Sequence, residues 1–373
     1  MAGASNLVVT VSPHIKSPNS TRGVMQGVLL ALLPVTLLAM VTFGYSGSFI
    51  IVISMATSLF FEVIWHNLRM CKGVPRTWGA TAVAVLAPAV MSAAGAGAIA
   101  PYVTLAVMVA FICSETCVKR AGEQPHAFDG SAAVTGLLLA LVLPPVVPWW
   151  IPFIGAFVAI SLGKEIFGGL GFNVFNPALA ARAILVLSWP VYLTTGWYRP
   201  LGIDAATKAT PLAIMKGGVT PSVARYYMPL LLQNTAGSIG EVSALLLVLG
   251  GLVLLWMRVI TWHIPVTYLG TVAVLSLVMG GDPVFSLLAG GVMIGAFFMA
   301  TDYVTSPVTA KGKILFGVMC GAITMVLRTY SKAPEGVTSA ILFMNMCTPL
   351  IDRMMIPKPL GSRKTAGSQG VAK

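Results

Sequence analysis

The stretch VMQGVLLALLPVTLLAMVTFGY, which occupies Val24–Tyr45, contains no charged side chain and is almost entirely apolar. An α-helix needs about 20 predominantly apolar residues to cross the hydrocarbon core of a bilayer, because each residue advances it by only about 1.5 Å. This stretch is long enough for one crossing. It therefore predicts a membrane-spanning helix, and it sets the fold class expected for the chain around it.

The composition of the whole chain points the same way. Of its 373 residues, 57% are hydrophobic and 9% are charged, and the mean hydropathy is +0.88, whereas a soluble domain carries about 25% charged residues. The apolar runs are continuous, which favours helices over the alternating strands of a membrane barrel. The net charge of +12 is explained by Lys and Arg in cytoplasmic loops, so it does not indicate nucleic-acid binding.

Other apolar runs follow along the chain, and several are too short for a full crossing. These short runs are expected to be half-helices or tilted segments. We predict an all-α polytopic integral membrane protein with about ten transmembrane helices and additional short or half-helices. The other runs lie at Ser48–Trp65, Ala80–Ala94, Ile99–Val118, Ser131–Leu143, Trp150–Leu162, Val174–Leu193, Val242–Met257, Ile264–Met279, Val284–Met299, Ile314–Leu327 and Gly336–Leu350.

Basic residues predict the orientation in the membrane. Lys16 and Arg22 precede the first run, Lys164 follows a later one, and Arg353 begins a basic tail, whereas alternate links carry no charge. This pattern places both termini in the cytoplasm. The long polar link follows seven runs, or five if two are half-helices, and either odd number places it on the outer face. The predicted parts are a cytoplasmic N-terminal segment (1–23), a first transmembrane half (24–193), an outer-face loop (194–240), a second transmembrane half (241–352) and a cytoplasmic basic tail (353–373).

The two halves contain one similar stretch. FNPALAARAIL begins at Phe175 and TSPVTAKGKIL begins at Thr305, and each follows a glycine-rich or polar turn. Internal repeats are common in membrane proteins that hold a ligand near the bilayer midplane. The likeness predicts an internal repeat.

Polar residues mark several predicted helix starts. Asp129 and Ser131 open one short run, and Asn176 stands before a proline, as an N-cap residue commonly does. Ser238 and Glu241 have the spacing of a capping box, and Asp302 ends another apolar run. Each is explained by ordinary capping, but together they favour a polar cavity that accepts an anion such as a phosphate.

Two ionisable residues lie within predicted spans. Arg182 is one turn inside its run, which favours a role in a pocket, because charged groups inside a membrane are costly. Glu62 lies late in its run, so it is either functional or snorkels to the membrane surface. The chain contains no catalytic triad, zinc-binding pattern, phosphate-binding loop or dinucleotide fingerprint. The five cysteines form no CxxC pair, and we predict neither a catalytic residue nor a metal site.

The segment DAATKATPL, from Asp204 to Leu212, carries a resemblance. It is similar to the covalent flavin-attachment segment of the family that contains the D subunit of the Rnf complex (RnfD) and the B subunit of the sodium-pumping NADH:quinone oxidoreductase. The similarity continues, in the same order, through FDGSAAVTGLLLALVLPP, FGGLGFNVFNPALAARA, GSIGEVSALLLVLGG and FMATDYVTSP. It therefore covers nearly the whole chain.

The resemblance implies a function and a set of site residues. Thr210 would carry flavin mononucleotide (FMN) through a phosphodiester, Asp204 and Thr207 would order the loop, and Ala209 is kept beside the target. Lys208 stands where the family usually has a small residue, which bears on recognition of the segment by a flavin transferase. The residues expected to line the flavin site are Ser238, Glu241, Asn176, Arg182 and Asp302.

The family further implies a multisubunit complex in a bacterial cytoplasmic (inner) membrane. Such a complex relays electrons between ferredoxin and NAD and couples this to movement of Na⁺ or H⁺. Its other members include a second covalent-flavin subunit and iron–sulfur subunits, and a second, noncovalent flavin such as riboflavin is a further expectation. The alternatives are the B subunit of the quinone-reducing pump and, without redox function, a urea-channel-like transporter. The short N-terminus favours the Rnf subunit.

Overall fold

The computed structural model describes residues 20–69, 129–194, 227–232, 237–331 and 336–356, and within these ranges the chain is mostly helical and contains no strand. We number the α-helices in chain order. They are α1 (Thr21–Arg69), α2 (Ser131–Leu141), α3 (Trp150–Phe157), α4 (Pro177–Ser188), α5 (Pro190–Thr194), α6 (Tyr227–Leu232), α7 (Ala244–Trp256), α8 (His263–Val278), α9 (Pro283–Leu288), α10 (Val292–Ile294), α11 (Ala310–Tyr330) and α12 (Val337–Met355).

Helix α1 contains the first two predicted runs and is broken one residue before the end of the first. The break lies at Gly44, whose φ of 58° and ψ of −133° are not helical. A positive φ strains any residue with a Cβ, so glycine suits this position. By length and composition, two helical stretches are able to cross a membrane, Thr21–Trp65 and Ala310–Tyr330, among the residues that the structure describes. Runs Ala80–Ala94 and Ile99–Val118 lie outside those residues, so the count of about ten crossings stays a prediction.

Helix α2 packs closely against α1 because a glycine removes the side chain at the contact. A Cβ at Gly136 would lie 2.8 Å from the carbonyl oxygen of Ser54 and 2.9 Å from the Cα of Met55. At the same place the Ser54 hydroxyl donates a hydrogen bond to the carbonyl oxygen of Gly136 (2.8 Å). This contact holds the middle of α2 against α1.

Two segments adopt π-helical geometry, and each ends just before a polar turn. Val158–Glu165 continues α3, and Gly295–Met299 continues α10. In each, a backbone N–H bonds to the carbonyl five residues earlier: Ile166 to Ser161, and Ala300 to Gly295. The helices α4 and α11 follow these turns, at the two similar stretches of sequence. This local likeness is compatible with an internal repeat, which otherwise stays a prediction.

Two predicted runs are interrupted. Val174–Leu193 divides into α4 and α5 at Trp189, because Pro190 cannot continue the hydrogen-bonding pattern of the preceding helix. Val284–Met299 divides into α9 and α10 at Gly290 and Gly291, which have φ values of 71° and 68°. Hydrophobicity predicted these runs correctly as apolar but did not show the breaks within them.

The C-terminal end of α2 meets the start of the second half. The backbone N–H of Ile239 donates to the carbonyl oxygen of Leu143 (3.0 Å), and Ile239–Val242 forms a 3₁₀-helix that precedes α7. These residues join one large buried core that also takes in α1, α4, α8 and α11. The N-terminal end of α2, by contrast, faces a cavity.

Candidate functional site

A cavity lies where α1, α2 and α4 approach α7 and the two polar turns. It contains about 760 Å³ of empty space, part of it open to the surroundings. Apolar side chains, among them Leu138, Val259, Phe297 and Phe298, form most of the lining. Its polar residues include Ser131, Lys164, Asn173, Asn176, Thr301 and Asp302.

Asn176 is held rigidly at the edge of this cavity. Its Oδ1 accepts hydrogen bonds from the backbone N–H groups of Ala178 (3.1 Å) and Leu179 (3.3 Å), so it caps α4 as predicted. Its Nδ2 donates to the carbonyl oxygen of Met299 (3.2 Å), at the end of the second π-helical segment. The side chain thus joins the two polar turns, and it is only 3% exposed.

Asp302 lines the cavity from the second turn. Its Oδ2 accepts a hydrogen bond from the Thr305 hydroxyl (3.1 Å). The Thr305 carbonyl in turn accepts one from the hydroxyl of Thr348 on α12 (2.9 Å). The turn that carries Asp302 is therefore anchored to the last helix.

A buried polar cluster adjoins the cavity at the start of α2. Lys164, in the first π-helical segment, is 3% exposed, and its Nζ donates to Oε1 of Glu62 in α1 and to Oγ of Ser131 (2.6 Å). Oε1 of Glu165 is 3.8 Å from the same Nζ. Ser131 Oγ lies 2.5 Å from Oδ1 of Asp129. The Lys164 ammonium therefore lies beside the carboxylates of Glu62 and Glu165, and the Ser131 hydroxyl links it to that of Asp129.

Comparisons with known proteins identify the group to which this sequence belongs. The sequence matches the model of the NQR2, RnfD, RnfE family over residues 8–94 and 72–361. The chain belongs to this family. Its membership supports a membrane protein, as the composition predicted.

Several members of the NQR2, RnfD, RnfE family are similar in sequence to this chain over most of its length. The D subunit of the Na⁺-translocating ferredoxin:NAD⁺ oxidoreductase complex of Acetobacterium woodii is 40% identical over 363 residues, covering 96% of each chain. The D subunit of the proton-translocating ferredoxin:NAD⁺ oxidoreductase complex of Clostridium ljungdahlii is 42% identical over 315 residues, covering 80% of this chain and 95% of the relative. The D subunit of an ion-translocating oxidoreductase complex of Stutzerimonas stutzeri is 38% identical over 300 residues, covering 70% and 84%.

In this family member the structure brings together only some of the predicted site residues. Asn176 and Asp302 both line the cavity. Arg182 is 8% exposed on α4 but is not among the lining residues. Ser238 and Glu241 also lie elsewhere: Glu241 Oε1 is 3.2 Å from the position of a Cβ on Gly291, at the break between α9 and α10. Whether any of these residues contacts a flavin stays a prediction.

The capping predictions were partly wrong. Ser238 precedes a 3₁₀-helix and makes no capping bond with its side chain. The cap of α7 is Ser243, whose Oγ accepts from the N–H of Leu246 (3.4 Å), because the 3₁₀ turn delays the start of the α-helix. At α2 the cap position is Gly130, and Asp129 instead accepts from the N–H of Ser131 (2.8 Å).

Lys164 was not predicted as a site residue, because a basic residue after an apolar run is typical of a cytoplasmic loop. It is instead buried and paired with Glu62, so the snorkelling interpretation of Glu62 is also wrong. The available signal was a lysine next to a glutamate directly after an apolar run, with a second carboxylate at Glu62 that needs a partner in the membrane.

The segment predicted to carry flavin lies outside the described residues. Asp204, Thr207, Lys208, Ala209 and Thr210 all fall between α5 and α6, in residues of which the structure gives no description. Among the described residues, no group of three or more His, Cys, Asp or Glu side chains is arranged to hold a metal ion. The candidate site that the structure describes is a partly apolar cavity with amide, hydroxyl, ammonium and carboxylate groups at its edge.

Proposed function

We propose that this chain is the flavin-carrying membrane subunit of an Rnf-type complex, which relays electrons between ferredoxin and NAD and couples this to movement of Na⁺ or H⁺. The observation that carries the proposal is the 40% identity over 96% of the chain to a D subunit with that activity in its name. Neither relative decides the transported ion, because one is named Na⁺-translocating and the other proton-translocating.

FMN is bound covalently to Thr210 in this proposal, through a phosphodiester formed by a flavin transferase. The support is the segment DAATKATPL and its resemblance to the family's attachment segment. When bound, FMN supplies one- and two-electron chemistry, and the protein sets its position and surroundings. Lys208 is close enough in sequence to offset the charge of the phosphodiester.

The cavity is the proposed seat of a second, noncovalent flavin. Phe297, Phe298 and Leu138 offer an apolar wall for a planar ring, and Asn173 and Asn176 offer amide groups for its polar edge. Lys164 adds a positive charge, which favours a ring that becomes more negative on reduction. The donor set and the apolar wall therefore fit such a group.

The remaining parts of the proposal follow the family. The chain lies in a bacterial inner membrane with both termini in the cytoplasm and the Thr210 loop on the outer face. Its partners are iron–sulfur subunits and a second covalent-flavin subunit. The alternative is the B subunit of a sodium-pumping quinone reductase, since NQR2 is in the same family; a purified complex that reduces quinone and not NAD would favour it.

In-gel fluorescence of the denatured chain tests the central point. Coexpressed with a flavin transferase, the wild-type band should fluoresce under ultraviolet light. Thr210→Ala should abolish the fluorescence, and Thr207→Ala, as the matched control in the same segment, should keep most of it. Loss of the signal in Thr207→Ala alone would move the attachment to the other threonine, and a dark wild-type band would reject covalent flavin.

A further inference from the structure

The ammonium of Lys164 lies among buried oxygen atoms. It donates to Oε1 of Glu62 and to Oγ of Ser131 at 2.6 Å, and Oε1 of Glu165 lies 3.8 Å away. Ser131 accepts from the lysine and uses its single hydrogen toward Asp129 at 2.5 Å. The same carboxylate and hydroxyl oxygens are of the kind that hold hard cations such as sodium.

Glu62, Glu165 and Lys164 are buried together, since each is less than 8% exposed. Oε2 of Glu62 is buried and makes no hydrogen bond among the residues that the structure describes. A buried carboxylate oxygen without a partner is costly. An ion pair kept only for stability would be expected to satisfy both of its oxygens.

The Lys164 side chain can also reach the cavity. It lines the cavity as well as the cluster, and a lysine stem of four carbons allows the ammonium to turn while the backbone stays fixed. The backbone itself is held, because Trp65 Nε1 on α1 donates to Ser161 Oγ (2.8 Å) one turn earlier in the same π-helical segment. Motion of this one side chain would therefore move a positive charge from the cluster into the cavity.

We propose that Glu62, Ser131 and Asp129 form a monovalent-cation site, which the Lys164 ammonium fills in this structure and which Na⁺ or H⁺ fills when the ammonium turns into the cavity. The inference rests on the proposed function for the event that draws the lysine away. One electron taken up by a redox group in the cavity adds one negative charge there. The ammonium compensates it, and one cation enters the cluster, so the total charge of the two places is unchanged.

The sharpest test removes the ammonium and keeps the stem, and it needs no bound flavin. Lys164→Met should leave the oxygens without a cation, so the thermal unfolding midpoint of the purified full chain should rise on adding NaCl. Choline chloride at the same ionic strength should not raise it. The wild type should respond equally to both salts, because its own ammonium occupies the site.

The double variant Glu62→Gln, Lys164→Met is the matched control and should lose the sodium response. If a proton is the cation, the Lys164→Met midpoint should instead rise as the pH is lowered, with no difference between the salts, and the double variant should lose that response too. A Lys164→Met chain that responds to sodium and to pH no differently from the double variant overturns the proposal.

A second measurement covers the case in which Lys164→Met does not fold. Ser131→Ala removes one hydroxyl from the cluster, and the assembled complex containing it should move fewer cations for each electron transferred to NAD. A purely structural defect would lower both rates together and leave that ratio unchanged, which would reject the cation site. The in-gel fluorescence of FMN on Thr210 is independent of both experiments, so this inference can fail while the proposed function stands.

Discussion

Replacing Gly136 with alanine should separate α2 from α1. A Cβ at this position would lie 2.7 Å from Oγ of Ser58, 2.8 Å from the carbonyl oxygen of Ser54 and 2.9 Å from the Cα of Met55. Two of these atoms belong to the backbone of α1, so a rotamer change cannot relieve the overlap. Overpacking of this kind costs about 1–3 kcal/mol. The shift would also weaken the 2.8 Å hydrogen bond from Ser54 to Gly136, which is worth about 0.5–1.5 kcal/mol.

Alanine offsets part of this cost because it favours a helix over glycine by about 1 kcal/mol. The net loss in the free energy of unfolding is therefore roughly 0.5–3.5 kcal/mol. The assay is the thermal unfolding midpoint of the detergent-purified chain. Gly270→Ala is the matched control, because a Cβ on Gly270 in α8 meets nothing within 4 Å, so its midpoint should stay or rise. A Gly136→Ala midpoint equal to that of Gly270→Ala would refute the described packing of α2.

Two further predictions concern the ends of helices and the outer loop. The hydrogen bond from the Tyr227 hydroxyl lowers the pKa of Asp282, which lies in the link between α8 and α9. Its stabilising contribution is present above the ordinary aspartate pKa of about 3.9 and is lost as the pH falls through the folded-state value. Tyr227→Phe should therefore flatten the acid side of the stability profile, and an unchanged profile would contradict this. Cysteine at Ala209, in a background without native cysteines, should react with an impermeant thiol reagent in intact cells, and labelling only in broken cells would reverse the predicted topology.

Hydrophobicity predicted most of the described helices but not their interruptions. The runs at Val24–Tyr45, Ile264–Met279 and Ile314–Leu327 all coincide with helical segments. The divisions at Trp189 and at Gly290 were missed, because a mean apolar character does not report backbone dihedrals. The two π-helical segments were missed for a similar reason, since their i to i+5 bonding leaves no mark on hydrophobic periodicity.

The sequence predicted the helix cap at Asn176 but not the ion pair between Glu62 and Lys164. Asn176 followed by proline is a local signal for a helix start, and the structure confirms the cap. The pairing of Glu62 with Lys164 depends on the approach of α1 to a π-helical segment about a hundred residues later, which no local pattern specifies. The capping box predicted at Ser238 and Glu241 does not form, although the spacing matches, because these residues belong to a 3₁₀ turn and not to the first turn of an α-helix.

The position of Asn176 limits how the molecule can move. Its side chain bonds to the carbonyl of Met299 in the second half. Its backbone N–H donates to Asn345 of α12 (3.1 Å), in the amide orientation in which Asn345 also donates to the carbonyl of Ile341. Transporters that work by alternating access rock one repeat against the other around a central ligand. Movement of α4 relative to α12 and to the turn after Met299 would break both of these buried contacts at one residue, each worth about 0.5–1.5 kcal/mol, so Asn176 resists such movement.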